Sequence, residues 1–92
     1  MSALQLRRSH ALAPAEAEAR VARVAGQLTQ RFGAACRWQG NVLTIEHASL
    51  SGTITLLASE ILVEARLGLA LGLFRRRAEQ EIARILDREL AT

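Results

Sequence analysis

Residues 68–90 read GLALGLFRRRAEQEIARILDREL, and their apolar positions keep a helical period. Leu71, Phe74, Ala78, Ile82, Ile85 and Leu86 recur at spacings of three and four. Arg75, Arg76, Glu79, Gln80, Glu81, Arg84, Asp87 and Arg88 fall largely on the other side. The pattern predicts a strand end that turns straight into a long amphipathic helix, with Phe74 and Ile82 as core anchors. Its apolar stripe needs a second surface to bury against, and the alternating residues upstream supply one.

At the start of the chain, Leu4 and Leu6 alternate with Gln5 and Arg7, which predicts a short strand over 3–8. Pro14 suits the first turn of a helix, where its missing N–H is not needed. Glu16 and Glu18 complement the helix dipole, and Glu16 stands four residues before Arg20 in the favourable order. Ala17, Val21, Val24, Ala25, Leu28 and Phe32 form the apolar stripe, and Gly33 stands where a left-handed glycine ends a helix. Gly26 is a mild cost inside this helix or a point of close approach.

Four strand-like runs follow. Residues 35–39 put Cys36 and Trp38 on one face, and residues 42–47 put Leu43 and Ile45 there. Residues 53–57 do the same with Ile54 and Leu56, and residues 61–67 with Ile61, Val63, Ala65 and Leu67. Gly40-Asn41 is a two-residue hairpin signal, 48–51 a loop leading to Gly52, and Ser59-Glu60 a tight turn. Connections this short imply an antiparallel meander. The expected architecture is one α+β domain over residues 1–92, in the order β-α-β-β-β-β-α. Two layers are expected, an antiparallel sheet of about five strands with both helices on its apolar face.

Composition narrows the classes of function. A chain of 92 residues that is 50% apolar can bury one modest core. The single cysteine, Cys36, excludes an intrachain disulfide. The first twenty residues carry no apolar stretch of signal-peptide length, and no run approaches a membrane span, so a cytoplasmic protein without a transmembrane segment is expected. Net charge is +3, and every basic residue is an arginine. With seventeen alanines and fifteen leucines, that bias reads as GC-rich coding rather than as a partner signal. Acidic residues are interleaved throughout, so no clean basic stripe points to nucleic acid.

Several stretches together carry a family resemblance. They are Leu4-Gln5-Leu6 followed by His10-Ala11-Leu12, the helix from Ala17 to Phe32-Gly33, Trp38-Gln39-Gly40-Asn41-Val42-Leu43, Gly52-Thr53-Ile54, and Leu67-Gly68 leading to Ile82 and Leu86. On these the chain resembles, over nearly its whole length, the polyhydroxyalkanoic acid system family, small proteins encoded near polyester-granule genes. The resemblance implies a role in storage-polyester metabolism or at the granule surface, with no reaction attached. It marks His10, Trp38, Gly52 and Gly68 as motif positions without a known role. One departure stands between Ile45 and Gly52, where this chain has Glu46-His47-Ala48-Ser49-Leu50-Ser51 in place of a basic residue and a further glycine.

Candidate chemistry is sparse. Cys36 beside Arg37 has the neighbour that activates a thiolate, yet a small strand residue reads equally as packing. His10 and His47 would meet if the first strand lay beside the third, but two histidines make a thin metal site. Ser9-His10 lacks an acidic orienter, and His10 reads better as a loop side chain bonding the backbone near the first helix. Gly68 and Gly72 match neither phosphate-binding glycine pattern, so Gly68 is read as a strand end and Gly72 as close packing. The segment most like a binding surface joins Leu69 and Leu73, spare of the core stripe, to Arg75, Arg76 and Arg77, a pairing suited to an anionic interface.

The favoured reading is a non-enzymatic accessory protein binding the granule surface or a granule-associated protein. The second is a small apolar-ligand or lipid carrier with a cavity between the sheet and the C-terminal helix. An enzyme ranks lowest, for want of convergent polar groups, and no cofactor or metal is expected. Val42, Leu57 and Leu62 on the outer sheet face, with an open sheet edge, imply a weak homodimer.

Overall fold

The computed structural model describes residues 2–68 and 74–90. The elements are β1 (Ser2–Ser9), α1 (Pro14–Phe32), β2 (Ala35–Gln39), β3 (Val42–His47), β4 (Leu50–Leu56), β5 (Glu60–Leu67) and α2 (Arg75–Leu90). They form one five-stranded sheet in the order β1-β5-β4-β3-β2, and every pair of neighbours is antiparallel. The α+β class and the element order are those expected from the periodicities.

Helix α1 begins with proline in its first turn and ends at Gly33, whose φ of 69° is left-handed and whose N–H bonds Thr29 O at 2.9 Å. Gly40 takes φ 61° in the hairpin between β2 and β3. Gly26 is exposed, and nothing lies within 4 Å of the place a Cβ would occupy, so it marks no close approach.

Strand alternation aims two rows of side chains at the helices. One row runs Leu6, Val63, Ile54, Leu43 and Trp38 across all five strands, and the other runs Leu4, Ala65, Gly52, Ile45 and Cys36. Val21, Val24, Ala25 and Leu28 of α1 and Ile82, Ile85 and Leu86 of α2 join these residues in one buried cluster. Both helices therefore share one face of the sheet. Gly52 belongs to this face for a steric reason. A Cβ there would come within 2.3 Å of Glu64 O and 2.9 Å of Ala65 Cα, so strands β4 and β5 pack too closely for any side chain.

Several expectations fail. Strand β4 begins at Leu50, three residues before the expected Thr53, so only Ala48 and Ser49 turn between β3 and β4. Phe74 is not a core anchor. It is 61% exposed and precedes the first residue of α2, whereas Ile82 is 7% exposed and does anchor the helix. Phe32, at the last position of α1, is likewise 44% exposed. Leu71, which also belonged to the expected stripe, lies outside the described residues, as does Gly72.

Candidate functional site

The two helices run antiparallel, since Arg20, Arg23 and Gln27 around the middle of α1 meet Glu89 at the end of α2, and Arg31 near the end of α1 meets Glu81 nearer the start of α2. They close firmly at one end. Glu89 is held there by Arg23 Nε at 2.8 Å, by Gln27 Nε2 at 2.8 Å, and through its own carbonyl by Arg20 Nη1 at 2.7 Å. Arg20 also pairs with Glu16 at 2.8 Å, and Arg8 of β1 reaches Asp87 at 2.6 Å. Beneath this clamp Ile85 and Leu86 are buried.

At the other end a cleft of about 380 Å³ opens among the C-terminal part of α1, the β3–β4 hairpin and the start of α2. Its walls come from Leu28 and Ala34, from Ile45 and Leu50, and from Ala78 and Ile82. Phe32 and Phe74 both line it. They are the chain's two phenylalanines, and both stand partly in solvent. A volume of this size lies at the lower end of the range of small-molecule sites, which are mostly apolar concavities.

Few polar groups join the walls. His47, Ser49, Arg77 and Glu81 line the cleft. The Glu81 carboxylate is engaged by Arg31 at 3.2 Å and by Arg84. His47 Nδ1 accepts the Ser49 N–H at 3.1 Å, which fixes the ring in the wall.

The residues singled out by sequence are distributed as follows. Arg75 and Arg76 are exposed at the start of α2 beside Arg77, and Arg75 Nε donates to Ala3 O at 3.0 Å on β1. Leu69 and Leu73 lie outside the described residues. His10 bonds the backbone near the first helix, as expected. Its Nδ1 accepts Leu12 N–H at 3.1 Å and its Nε2 meets Leu57 O at 3.1 Å, which ties the β1–α1 connection to the end of β4. Gly68 N–H donates to Ser49 O at 2.8 Å, joining the end of β5 to the β3–β4 hairpin. Trp38 and Cys36 are partly buried against the core, and Cys36 Sγ lies 3.9 Å from Ala25 O. His10 and His47 do not meet, because β1 neighbours β5 and not β3. Among the described residues no three histidine, cysteine or acidic side chains converge as a metal site.

The sequence reading missed the cleft and its two aromatic rings. Each phenylalanine continues a helical stripe, which predicts a core position, yet each sits where its helix stops or has not begun. The adjacent Gly33 and the break of pattern at Gly72 were the available signals.

On the far side of the sheet a shallow trough of about 880 Å³ is lined by Gln5, Thr44, Glu46, Thr53, Glu64 and Arg66, among others. Its lining mixes charges of both signs with hydroxyls, which defines no chemistry. No helix among the described residues is long and apolar enough to cross a membrane.

Comparison with known proteins gives one positive finding. A family model described as putative polyhydroxyalkanoic acid system protein matches residues 4–90. No curated protein and no solved structure matches the chain.

Proposed function

The chain belongs to the polyhydroxyalkanoic acid system family, and from that membership we propose that it is a non-enzymatic accessory protein that binds the polyester granule surface through the open end of its helix pair. The observation that carries this reading is the pair of exposed phenylalanines on one apolar cleft that Arg77 also lines, with Arg75 and Arg76 exposed at the same start of α2. Apolar rings next to a basic cluster suit a surface of polymer and anionic amphiphiles. Leu69 and Leu73, between β5 and α2 in sequence, belong to the same surface in this proposal.

Two forces then act together. Burying an apolar side chain contributes roughly 1.5–3 kcal/mol, and each arginine near an anionic surface adds up to about 1 kcal/mol, falling with salt. Co-sedimentation with isolated granules tests the proposal, using wild type, Leu69→Ser/Leu73→Ser and an Arg76→Gln/Arg77→Gln variant. The leucine pair should lose more binding than the arginine pair, and only the arginine part should respond to salt. If wild type stays in the supernatant at low salt, or if every variant sediments like wild type, the surface reading fails. A granule-associated protein would then be sought by pull-down.

A second reading has an observation of its own. The cleft lies between the sheet and α2, has ligand-sized volume and is walled by apolar side chains, which favours a small apolar-ligand carrier. Weak self-association belongs to the proposal as well. Strand β2 is an edge of the sheet, Val42 and Leu62 flank Thr55 on the face away from the helices, and Leu57 is exposed just past the end of β4 rather than within it. Sedimentation showing only monomer at high micromolar concentration would remove the dimer and leave the rest intact.

A further inference from the structure

The groups around the open cleft differ in what they can offer a ligand. Leu28, Ala34, Ile45, Leu50, Ala78 and Ile82 offer apolar surface. The one carboxylate in the lining, Glu81, is already engaged by Arg31 and Arg84. Arg77 makes no hydrogen bond or ion pair among the described residues and is exposed at the rim. His47 uses Nδ1 as an acceptor for Ser49 N–H, so the neutral ring carries its proton on Nε2 and presents a donor. Ser49 adds a hydroxyl that can donate. Arg31 and Arg84, which lie outside the lining, thus occupy the Glu81 carboxylate and leave Arg77 as the uncommitted charge at the rim. The first turn of α2 also lacks the acidic residue that Glu16 provides in α1. The cleft combines an apolar body with one uncommitted cation, Arg77, and with the donors of His47 and Ser49.

That combination is complementary to one class of small molecule, and the inference rests on the carrier reading of the cleft. We propose that the cleft binds the hydrocarbon tail of a single-chain carboxylate, a fatty or hydroxy-fatty acid, with the carboxylate at the rim facing Arg77 and His47. An apolar cavity of about 150 Å³ admits benzene, so a cleft more than twice as large has room for a chain of roughly ten carbons. The same carboxylate chemistry occurs in a free acid and at the end of a polyester chain.

Isotope-labelled full-length protein titrated with decanoate, 3-hydroxydecanoate, decanol or decyltrimethylammonium separates the contributions of tail and head. The expected result is saturable shifts at the amides of Ile45, Leu50, Ala78 and Ile82 for both acids, weaker binding of decanol, and weakest binding of the cation. Arg77→Gln should lower decanoate affinity by up to about fivefold, the weight of a solvent-exposed ion pair, and leave decanol unchanged. Ala78→Phe, after a normal melt, should abolish binding of both, and the wild-type shift map stands if that variant does not fold. A soluble hydroxyalkanoate oligomer with a free carboxylate end, compared with its methyl ester, distinguishes a polymer end from a free acid. Equal affinity for decanoate and decanol with no effect of Arg77→Gln overturns the assignment of the head group. No saturable binding of any acid by protein that still co-sediments with granules overturns this inference and spares the surface reading. Acid binding without granule binding does the opposite.

Discussion

One helix pair has two differently built ends. Where the middle of α1 meets the end of α2, Glu89 accepts from Arg23 and Gln27, its carbonyl accepts from Arg20, and Leu86 is fully buried. Where α1 finishes and α2 begins, Arg31 and Arg84 share Glu81, and the helices leave a cleft edged by Phe32 and Phe74. Both ends hold arginine–glutamate pairs, so ion pairing does not separate them. Apolar filling does. Large side chains complete the core at the first end, and at the second the rings that continue the helical stripes stay at the rim. The first end stabilises the fold, and the second is the end to which binding is proposed.

Substitutions can break this contrast, and the largest effect should come from the sealed end. Leu86→Ala should cost about 2–5 kcal/mol in denaturant melts, the range for a large side chain removed from a packed core. A loss under about 0.5 kcal/mol would mean that the sealed end is not packed as described. Gly52→Ala comes next. Its Cβ would meet backbone atoms of Glu64 and Ala65 and not a flexible side-chain end, so overpacking of about 1–3 kcal/mol is expected. Normal stability of that variant would show that β4 and β5 can separate. Glu89→Ala should cost on the order of 1 kcal/mol, because its carboxylate is well covered but Arg23 is half exposed and screened. Raised salt should shrink the difference between wild type and this variant. Phe74→Ser should have the smallest effect on stability, within about 0.5 kcal/mol of wild type, since the ring is 61% exposed.

The elements that packing surrounds evenly were legible in the sequence. Alternation placed β2 and β3 with their observed ends, and Pro14 and Gly33 bounded α1. Residues 48–51, which lead to Gly52, have the composition of a turn and so predict a connection where β4 in fact begins. Its glycine serves close approach between strands, and that requirement appears only once β4 lies beside β5. Phe74 was placed in the core because periodicity gives the face of a helix but not its first residue. The cleft is a relation between two helices and a hairpin distant in sequence, and no local pattern encodes their separation. The clamp on Glu89 was hidden for the same reason, since its partners stand more than sixty residues away.

The most direct test of the contrast uses the two rings together. Wild type, Phe32→Ser/Phe74→Ser and Glu89→Ala should be melted and then co-sedimented with isolated polyester granules at low salt. The double phenylalanine variant should melt within about 1 kcal/mol of wild type and lose at least about tenfold in granule binding, the weight of one or two buried rings. Glu89→Ala should be less stable and bind granules as wild type does. Granule binding that follows stability, lost in Glu89→Ala and kept in the double variant, would contradict the assignment of binding to the open end.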